Sequence, residues 1–392
     1  MARSRKTVLL LPLTGFLLVF FVLPMAWFLS YAVREAEVPR ALPETLEVLA
    51  GWTLGQPVPE AVYSAMARDM VEAADSGTMA NAARRINYEL AGSRSALTKA
   101  ARQVRKSDPA VTFDEAFFRS VDPILTSPEF FAVMKRAGAA VSDHYLLAAF
   151  DLQKAPDGKI VAVPEESRLY IAVLLRTLQI SALVMGACLV LGFPVAVLLA
   201  TSSEKVADAI LILVMLPFWT SLLVRTTAWI VLLQKEGIIN SALLSLGLIS
   251  EPLTMIFNRM GVVIAMTHVL LPFMILPLYS TLKAIPPGYM RAAASLGARP
   301  LTAFFRVYLP LAVPGIAAGC IMVFILSVGY YVTPALVGGP ADQMLSAFVA
   351  NYTTGTGNWG LASALGLILL VVTAALYLLA QRLSGGRAIS LG

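Results

Sequence analysis

Few residues in this 392-residue chain are of types that do covalent chemistry, and none is spaced for it. His144 and His268 are the only histidines and have no ligand-spaced partners, so no metal centre is expected. Cys188 and Cys320 both lie in apolar runs and read as small buried hydrophobes rather than as a disulfide framework. No phosphate-binding loop of the form G-x-x-x-x-G-K-S or G-x-x-x-x-G-K-T occurs, so this chain is not expected to hydrolyse ATP. The chain itself is expected to be no enzyme and to bind no cofactor. The side chains suited to holding a polar solute are aromatic: Phe218 and Trp219 beyond a kink at Pro217, and Tyr330 and Tyr331 before Pro334. A cation over such a face gains about 0.5–2 kcal/mol, more when dry. The same rings equally suit packing or anchoring at a membrane interface, and both readings stand. Arg225 points the other way, toward an anionic or zwitterionic cargo.

The composition says what holds these groups. It is 58% apolar and only 14% charged, where a soluble chain is nearer a quarter charged, so this is a membrane protein. The net charge of +6 is not gathered into a stripe, which argues against nucleic acid as a partner. An apolar run from Val8 to Val33 follows Arg3, Arg5 and Lys6 and exceeds the core of a cleaved signal, so it reads as a retained first span. Five further spans are expected near Ile171–Ala200, Ala209–Val224, Val262–Tyr279, Val313–Leu336 and Leu361–Ala380. The expected fold is therefore an all-α integral membrane protein of six transmembrane helices, with both termini on one side. Arg3, Arg5, Lys6, Lys205, Lys283, Arg291, Arg299, Arg306, Arg382 and Arg387 fall on one side, against Arg225, Lys235 and Arg259 in the short loops of the other. The richer side is the cytoplasmic one, which puts both termini there and makes the chain a multi-pass membrane protein in contact with its lipid.

Three parts follow: residues 1–33 with the first span, a polar segment 34–168, and a five-helix core 169–392. The middle part has no spanning run and reads as a mostly helical extracytoplasmic insertion between the first two spans. Helix starts are legible at Pro59-Glu60, at Thr112 with Glu115 as a capping box, and at Ser127-Pro128-Glu129. Asp157-Gly158 marks a turn before a short strand, Lys159–Val163. Thr78–Lys106 reads as one basic helix whose Arg84, Arg85, Arg94, Arg102 and Arg105 form a solvated face rather than an anion site.

The most ordered interval of polar and apolar residues is Pro286–Ile316, within a cytoplasmic loop 286–312. Pro286, Pro287 and Gly288 stop the incoming helix, and Tyr289–Ser295 can form a short one with an alanine-rich face. Gly297 permits a sharp bend. Pro300 opens a second short helix over Leu301–Tyr308, which Pro310 and Pro314 are expected to break. The product is a bent helical pair at a membrane surface.

The order Ala292-Ala293, Leu296-Gly297-Ala298, Phe305, Leu309-Pro310 and Pro314-Gly315 resembles the EAA loop of ABC importer permeases. Arg291 stands where that motif usually has Glu, so no charge pairing carries over. Leu216–Ser221, Arg225-Thr226 with Trp229, Gly237 with Asn240, Leu271–Met274 and Val332–Gly339 extend the likeness to the spermidine/putrescine-type permeases. The resemblance covers roughly Tyr170–Arg382 and the first helix, but not residues 34–168.

The resemblance implies alternating access by two permease chains, two ATPase subunits that use ATP and Mg, and an extracytoplasmic solute-binding protein. It makes Arg291, Ala292, Ala293, Leu296, Gly297, Ala298, Phe305, Pro310 and Pro314 the seat of the ATPase, with Leu296 as the knob. Phe218, Trp219, Arg225, Trp229, Tyr330, Tyr331 and Thr333 become the candidate solute path, with a polyamine as the leading cargo. Another small solute, such as an amino-acid derivative or organic anion, is the alternative, and in either case the resemblance implies a bacterial inner membrane. A secondary transporter fits less well, because the spans carry no Asp, Glu or Lys near their middles, and so does a membrane-anchored sensor, which would not need six spans with this inner loop.

Overall fold

A long apolar run can satisfy its backbone inside a bilayer only as a helix, because no water is there to pair with it. The computed structural model describes residues 11–34, 36–108, 111–155 and 158–383. Among them five helices are long and apolar enough to cross a membrane: Leu11–Ser30, Tyr170–Thr201, Arg259–Lys283, Pro300–Gly329 and Trp359–Arg382. A sixth results if the bent pair Glu204–Trp219 and Leu222–Leu232 is one span.

Two expected spans come out differently. The run over Ala209–Val224 is not a straight crossing, since the chain turns by 99° between the helices of that pair. Pro217 sits in a tight 3-10 turn, Leu216–Trp219, and Thr220 and Ser221 are extended behind it. The run expected at Val313–Leu336 begins at Pro300 and stops at Gly329. Tyr330 is extended, and Val332–Val337 forms a short helix of its own. Pro310 and Pro314 do not break this span. A π turn over Phe304–Tyr308, in which the Leu309 amide reaches back to Phe304 O, lets the hydrogen-bond ladder slip just ahead of Pro310, and Pro314 is carried inside the helix. What was expected to be a separate short helix over Leu301–Tyr308 is thus the lower end of a span.

The chain falls into two units: residues up to Leu169 with Thr356–Leu367, and Tyr170–Gly355 with the residues from Ile368 on. The polar segment of the first unit is helical apart from an antiparallel hairpin, Leu152–Lys154 with Ile160–Ala162, close to the expected strand. In Glu60–Asp75, Val62, Met66, Met70 and Ala73 recur at helical spacing and are buried. Tyr63 from the same helix meets the rings of Phe118 and Phe131 at 5.9 and 5.7 Å.

The caps are partly as the sequence suggests. Ser127 Oγ accepts from the Phe130 amide, with Pro128 in the first turn. At the next start upstream the cap is Asp114, not Thr112, and it accepts from the Phe117 amide at 2.9 Å. A buried carboxylate from another helix, Asp69, accepts from the Thr45 amide at 2.7 Å and the Thr45 hydroxyl at 2.6 Å, and so caps Pro43–Leu49 from outside.

The expected basic helix is two helices, Met79–Asn87 and Ser93–Lys106, separated at Gly92, whose φ of +93° suits glycine. Its arginines are not one solvated face either. Arg85 is buried and donates to Glu89 at 2.9 Å. Arg136 reaches the other Glu89 oxygen at 3.0 Å, and His144 Nδ1 lies 3.4 Å from the first. Burial alone would raise the Glu89 carboxyl, but the Arg85 and Arg136 guanidiniums beside it hold it below its usual value. Burial, with Arg85 nearby, drives His144 down to about 3.

In the second unit the Tyr170–Thr201, Arg259–Lys283 and Pro300–Gly329 helices share one apolar core, including Val184, Met266, Met274, Ile275 and Val323. Small residues set the spacing. A Cβ on Gly315 would lie 2.6 Å from Thr281 Oγ1, and one on Gly319 would lie 2.7 Å from Met274 Sδ. The Gly315–Gly319 pair thus does what small residues four apart do in lipid, letting two helices touch backbone to side chain.

Candidate functional site: a bent helical pair and a polar cluster

Between Arg259–Lys283 and Pro300–Gly329 lies the short helix Gly288–Ser295. It ends with Ala298 N–H donating to Ala293 O and Gly297 N–H donating to Ala294 O, the two bonds of a Schellman cap. That cap needs a left-handed residue, and Gly297 has φ +82°. Nothing lies within 4 Å of where its Cβ would be, so glycine is needed there for backbone freedom and not for space.

The bend leaves an apolar crest uncovered. Leu296 is 88% exposed, Leu301 73% and Phe305 60%. Arg291, Ala292, Pro310 and Pro314 are exposed as well, Ala298 is half-buried, and Ala293 is the buried residue that anchors the short helix. Leu296 lies outside the candidate spans, whereas Leu301 and Phe305 lie at the start of Pro300–Gly329, where an exposed apolar side chain also suits lipid.

The second place is built on Leu222–Leu232 and Val332–Val337. Thr226 Oγ1 lies 3.3 Å from Thr333 Oγ1, and both threonines are buried. Trp229 Nε1 donates to His268 Nδ1 at 3.1 Å. Arg225 acts electrostatically on both His268 and Tyr330, and its buried Nε has no hydrogen-bond partner among the described residues.

The segment after Tyr330 is tied down on several sides. Ser346 Oγ donates to Tyr330 O at 2.8 Å, the Leu345 amide donates to Thr177 Oγ1 at 2.8 Å, and Arg259 meets Asp342 at 3.2 Å. Arg176 from the Tyr170–Thr201 helix donates to Gln343 O at 3.3 Å. Gly338 and Gly339 make the close approach possible, since a Cβ on either would meet a backbone oxygen at 2.6 Å.

Of the expected solute-path residues, the structure gathers Arg225, Trp229, Tyr330 and Thr333. It does not bring in the rest. Phe218 packs on Phe273 at 5.1 Å, Trp219 is 73% exposed and Tyr331 is exposed. His268, Thr226 and Arg176 join the cluster or its frame without having been expected in the solute path: Thr226 was quoted only for the resemblance, His268 only as an unlikely metal ligand, and Arg176 not at all. Their partners lie 39, 107 and 167 residues away in the chain, and no local pattern carries such a pairing. Among the described residues no group of three or more His, Cys, Asp or Glu is placed to hold a metal ion.

Five helices long and apolar enough to cross a membrane, with one bent pair beside them, define a multi-pass membrane protein. Comparison with known proteins gives the family. A profile described as "Binding-protein-dependent transport system inner membrane component" matches residues 189–387. The spermidine/putrescine transport system permease protein PotB of Escherichia coli is 35% identical over 216 residues, which is 55% of this chain and 78% of that protein. The inner membrane ABC transporter permease protein YdcU of the same organism is 38% identical over 220 residues, 53% of this chain and 69% of that protein. A bacterial alginate ABC transporter, solved with a pentasaccharide-bound periplasmic protein, is similar at 20% identity and a TM-score of 0.46 over 58% of this chain and 82% of its own. The chain belongs to the binding-protein-dependent transport inner membrane components, the permeases of ABC importers. It is accordingly a multi-pass inner membrane protein and the non-catalytic part of such a transporter, with no cofactor expected on it.

Proposed function

We propose that this chain forms half of the translocation pore of an ATP-driven importer of polyamines, together with a second permease subunit, ATPase subunits below and a solute-binding protein above. The observation that carries the coupling role is the crest at Leu296, 88% exposed on a helix end fixed by the Schellman cap at Gly297. A chain that cannot hydrolyse ATP must receive motion by contact, and a rigid apolar knob on a short helix is suited to a groove on another subunit. In this reading the loop and both termini are cytoplasmic, which the charge distribution supports. Arg34–Arg168 is then extracytoplasmic. The terminal arginines used in that count, among them Arg3 and Arg387, lie outside the described residues.

The polyamine assignment is supported by the likeness to PotB proteins. The Arg225 cluster would be the outer end of the solute path, with Trp229 and Tyr330 as its aromatic faces. One observation favours a second reading. The unpartnered Nε of Arg225 is a buried donor that an anionic or zwitterionic solute could satisfy. Uptake of labelled putrescine and spermidine by the reconstituted complex, with and without Trp229→Ala, separates them. Polyamine uptake that falls in the variant supports the first reading. Uptake of an organic anion and no polyamine replaces it with the second and leaves the importer assignment standing.

A further inference from the structure

The first unit contains a cavity of about 550 Å³ that none of the preceding functions uses. Its lining has two characters. One wall is aromatic, from Trp27 and Tyr31 at the end of the Leu11–Ser30 helix and Trp359 at the start of the last helix. The other is cationic, from Arg34, Arg40 and Arg84. Arg34 lies over the Trp27 ring at 5.3 Å. Arg84 donates to Thr356 O at 2.5 Å and to Asn81 Oδ1 at 3.4 Å, both neutral acceptors. Among the described residues none of these three guanidiniums pairs with a carboxylate, although Glu37 also lines the cavity.

The placement says what such a pocket meets. Trp27 and Trp359 belong to helices long and apolar enough to cross a membrane, and aromatic residues at the ends of such helices sit at headgroup depth. The Leu11–Ser30 helix leads away from the cavity with its apolar surface bare: Phe16, Phe20, Phe21 and Leu23 are all exposed. A cluster of guanidiniums prefers phosphate, which its planar forks bond in pairs. A long apolar track starting at the same mouth prefers acyl chain.

We propose that this cavity holds the phosphate of an anionic phospholipid whose chains lie along Leu11–Ser30. The lipid would add to the backbone pairing of Val33 and Arg34 with Val141 and Ser142 in fastening the end of the first helix to the polar segment that follows it. Glu37 sets a limit on the headgroup: it suits one with a hydroxyl or amine beside the phosphate, and disfavours one with a second carboxylate.

Native mass spectrometry of the full chain in detergent tests this with equal amounts of phosphatidylglycerol and phosphatidylcholine bearing the same acyl chains. Phosphatidylglycerol should be retained about tenfold better, the size of effect that more than one nearby guanidinium provides. Arg34→Gln with Arg40→Gln should remove most of that preference, lowering retention of phosphatidylglycerol about tenfold to the level of phosphatidylcholine, which stays unchanged. Arg94→Gln with Arg102→Gln, in a basic groove elsewhere on the unit, should change neither. Equal retention of the two lipids by the unsubstituted chain overturns the proposal whatever the variants do. So does an equal loss in both double variants, which would mean general charge and not this cavity. Displacement of the lipid by millimolar inorganic phosphate would make it a site for a free anion and would equally sink the lipid assignment.

Discussion

His144 gives the sharpest quantitative prediction. Its ring is wedged between Tyr88 and Tyr145, with Arg85 and Arg136 on the cationic side and Glu89 and Asp143 on the acidic side. Desolvation and Arg85 outweigh the two carboxylates, so the folded imidazole stays neutral down to about pH 3. In the unfolded chain it would titrate near 6.5. Between those values the unfolded state binds a proton that the folded state refuses, so stability falls as pH falls. Going from pH 7 to pH 5, the loss comes to about 2 kcal/mol, or roughly 25-fold in the opening constant. A folded value of about 4 would give nearly the same figure, because at pH 5 the folded ring is neutral either way.

Glu89 and Asp143 are both held below their usual values, so their contributions are lost only as pH falls below their unfolded range. They are silent in this window. Hydrogen exchange of the Met79–Asn87 and His144–Ala149 peptides in the full chain, corrected for intrinsic rates, measures the opening. His144→Phe keeps an aromatic ring, removes the titration and leaves Glu89 with Arg85 and Arg136. Its protection should therefore lose the pH 5–7 slope. If wild type and variant show the same slope, or if wild type is better protected at pH 5, His144 is not buried neutral and the reasoning fails.

Gly297→Val should lower uptake by the assembled transporter while membrane insertion persists, because a β-branched residue at φ +82° carries strain of about 1–2 kcal/mol or more. Normal uptake by that variant would show that the bend is not needed for coupling. Gly319→Leu should do the opposite kind of damage, forcing the Pro300–Gly329 and Arg259–Lys283 helices apart and lowering the yield of folded protein, since Met274 already fills the space. Asp69→Ala removes the acceptor of three hydrogen bonds at the start of Pro43–Leu49 and should cost roughly 1.5–3 kcal/mol, read as lost protection in Glu44 and Thr45. Topology is checked with single cysteines in a background lacking Cys188 and Cys320: an impermeant reagent on intact cells should label position 95 and not position 295, and the reverse would invert the orientation. A cysteine at Ser384 would extend the test to the terminus, which lies outside the described residues.

The spans were legible in the sequence because a bilayer removes alternatives. Twenty apolar residues have no other way to bond their backbones there, and Tyr170–Thr201 and Arg259–Lys283 lie within a few residues of where the apolar runs put them. The bend at Gly297 was legible for a similarly local reason, since a left-handed residue after an alanine-rich turn has few side chains to choose from. Prolines were less informative. Pro217 does mark a turn, whereas Pro310 follows a π turn and Pro314 lies inside a continuous helix, and no residue in Phe304–Tyr308 announces the difference. Arg85 shows the same limit, because its place in a basic run predicts water. Only the arrival of Glu89 from the next turn, Arg136 from another helix and the Tyr145 ring at 5.5 Å makes a buried guanidinium tolerable. The sequence by itself determined membrane residence, the number of apolar runs and the bent pair, all of which depend on neighbours a few residues apart. Which of those runs breaks, and that Arg225, Trp229, His268, Tyr330 and Thr333 share one place, was decided by tertiary structure, because those contacts join residues that chain proximity leaves independent.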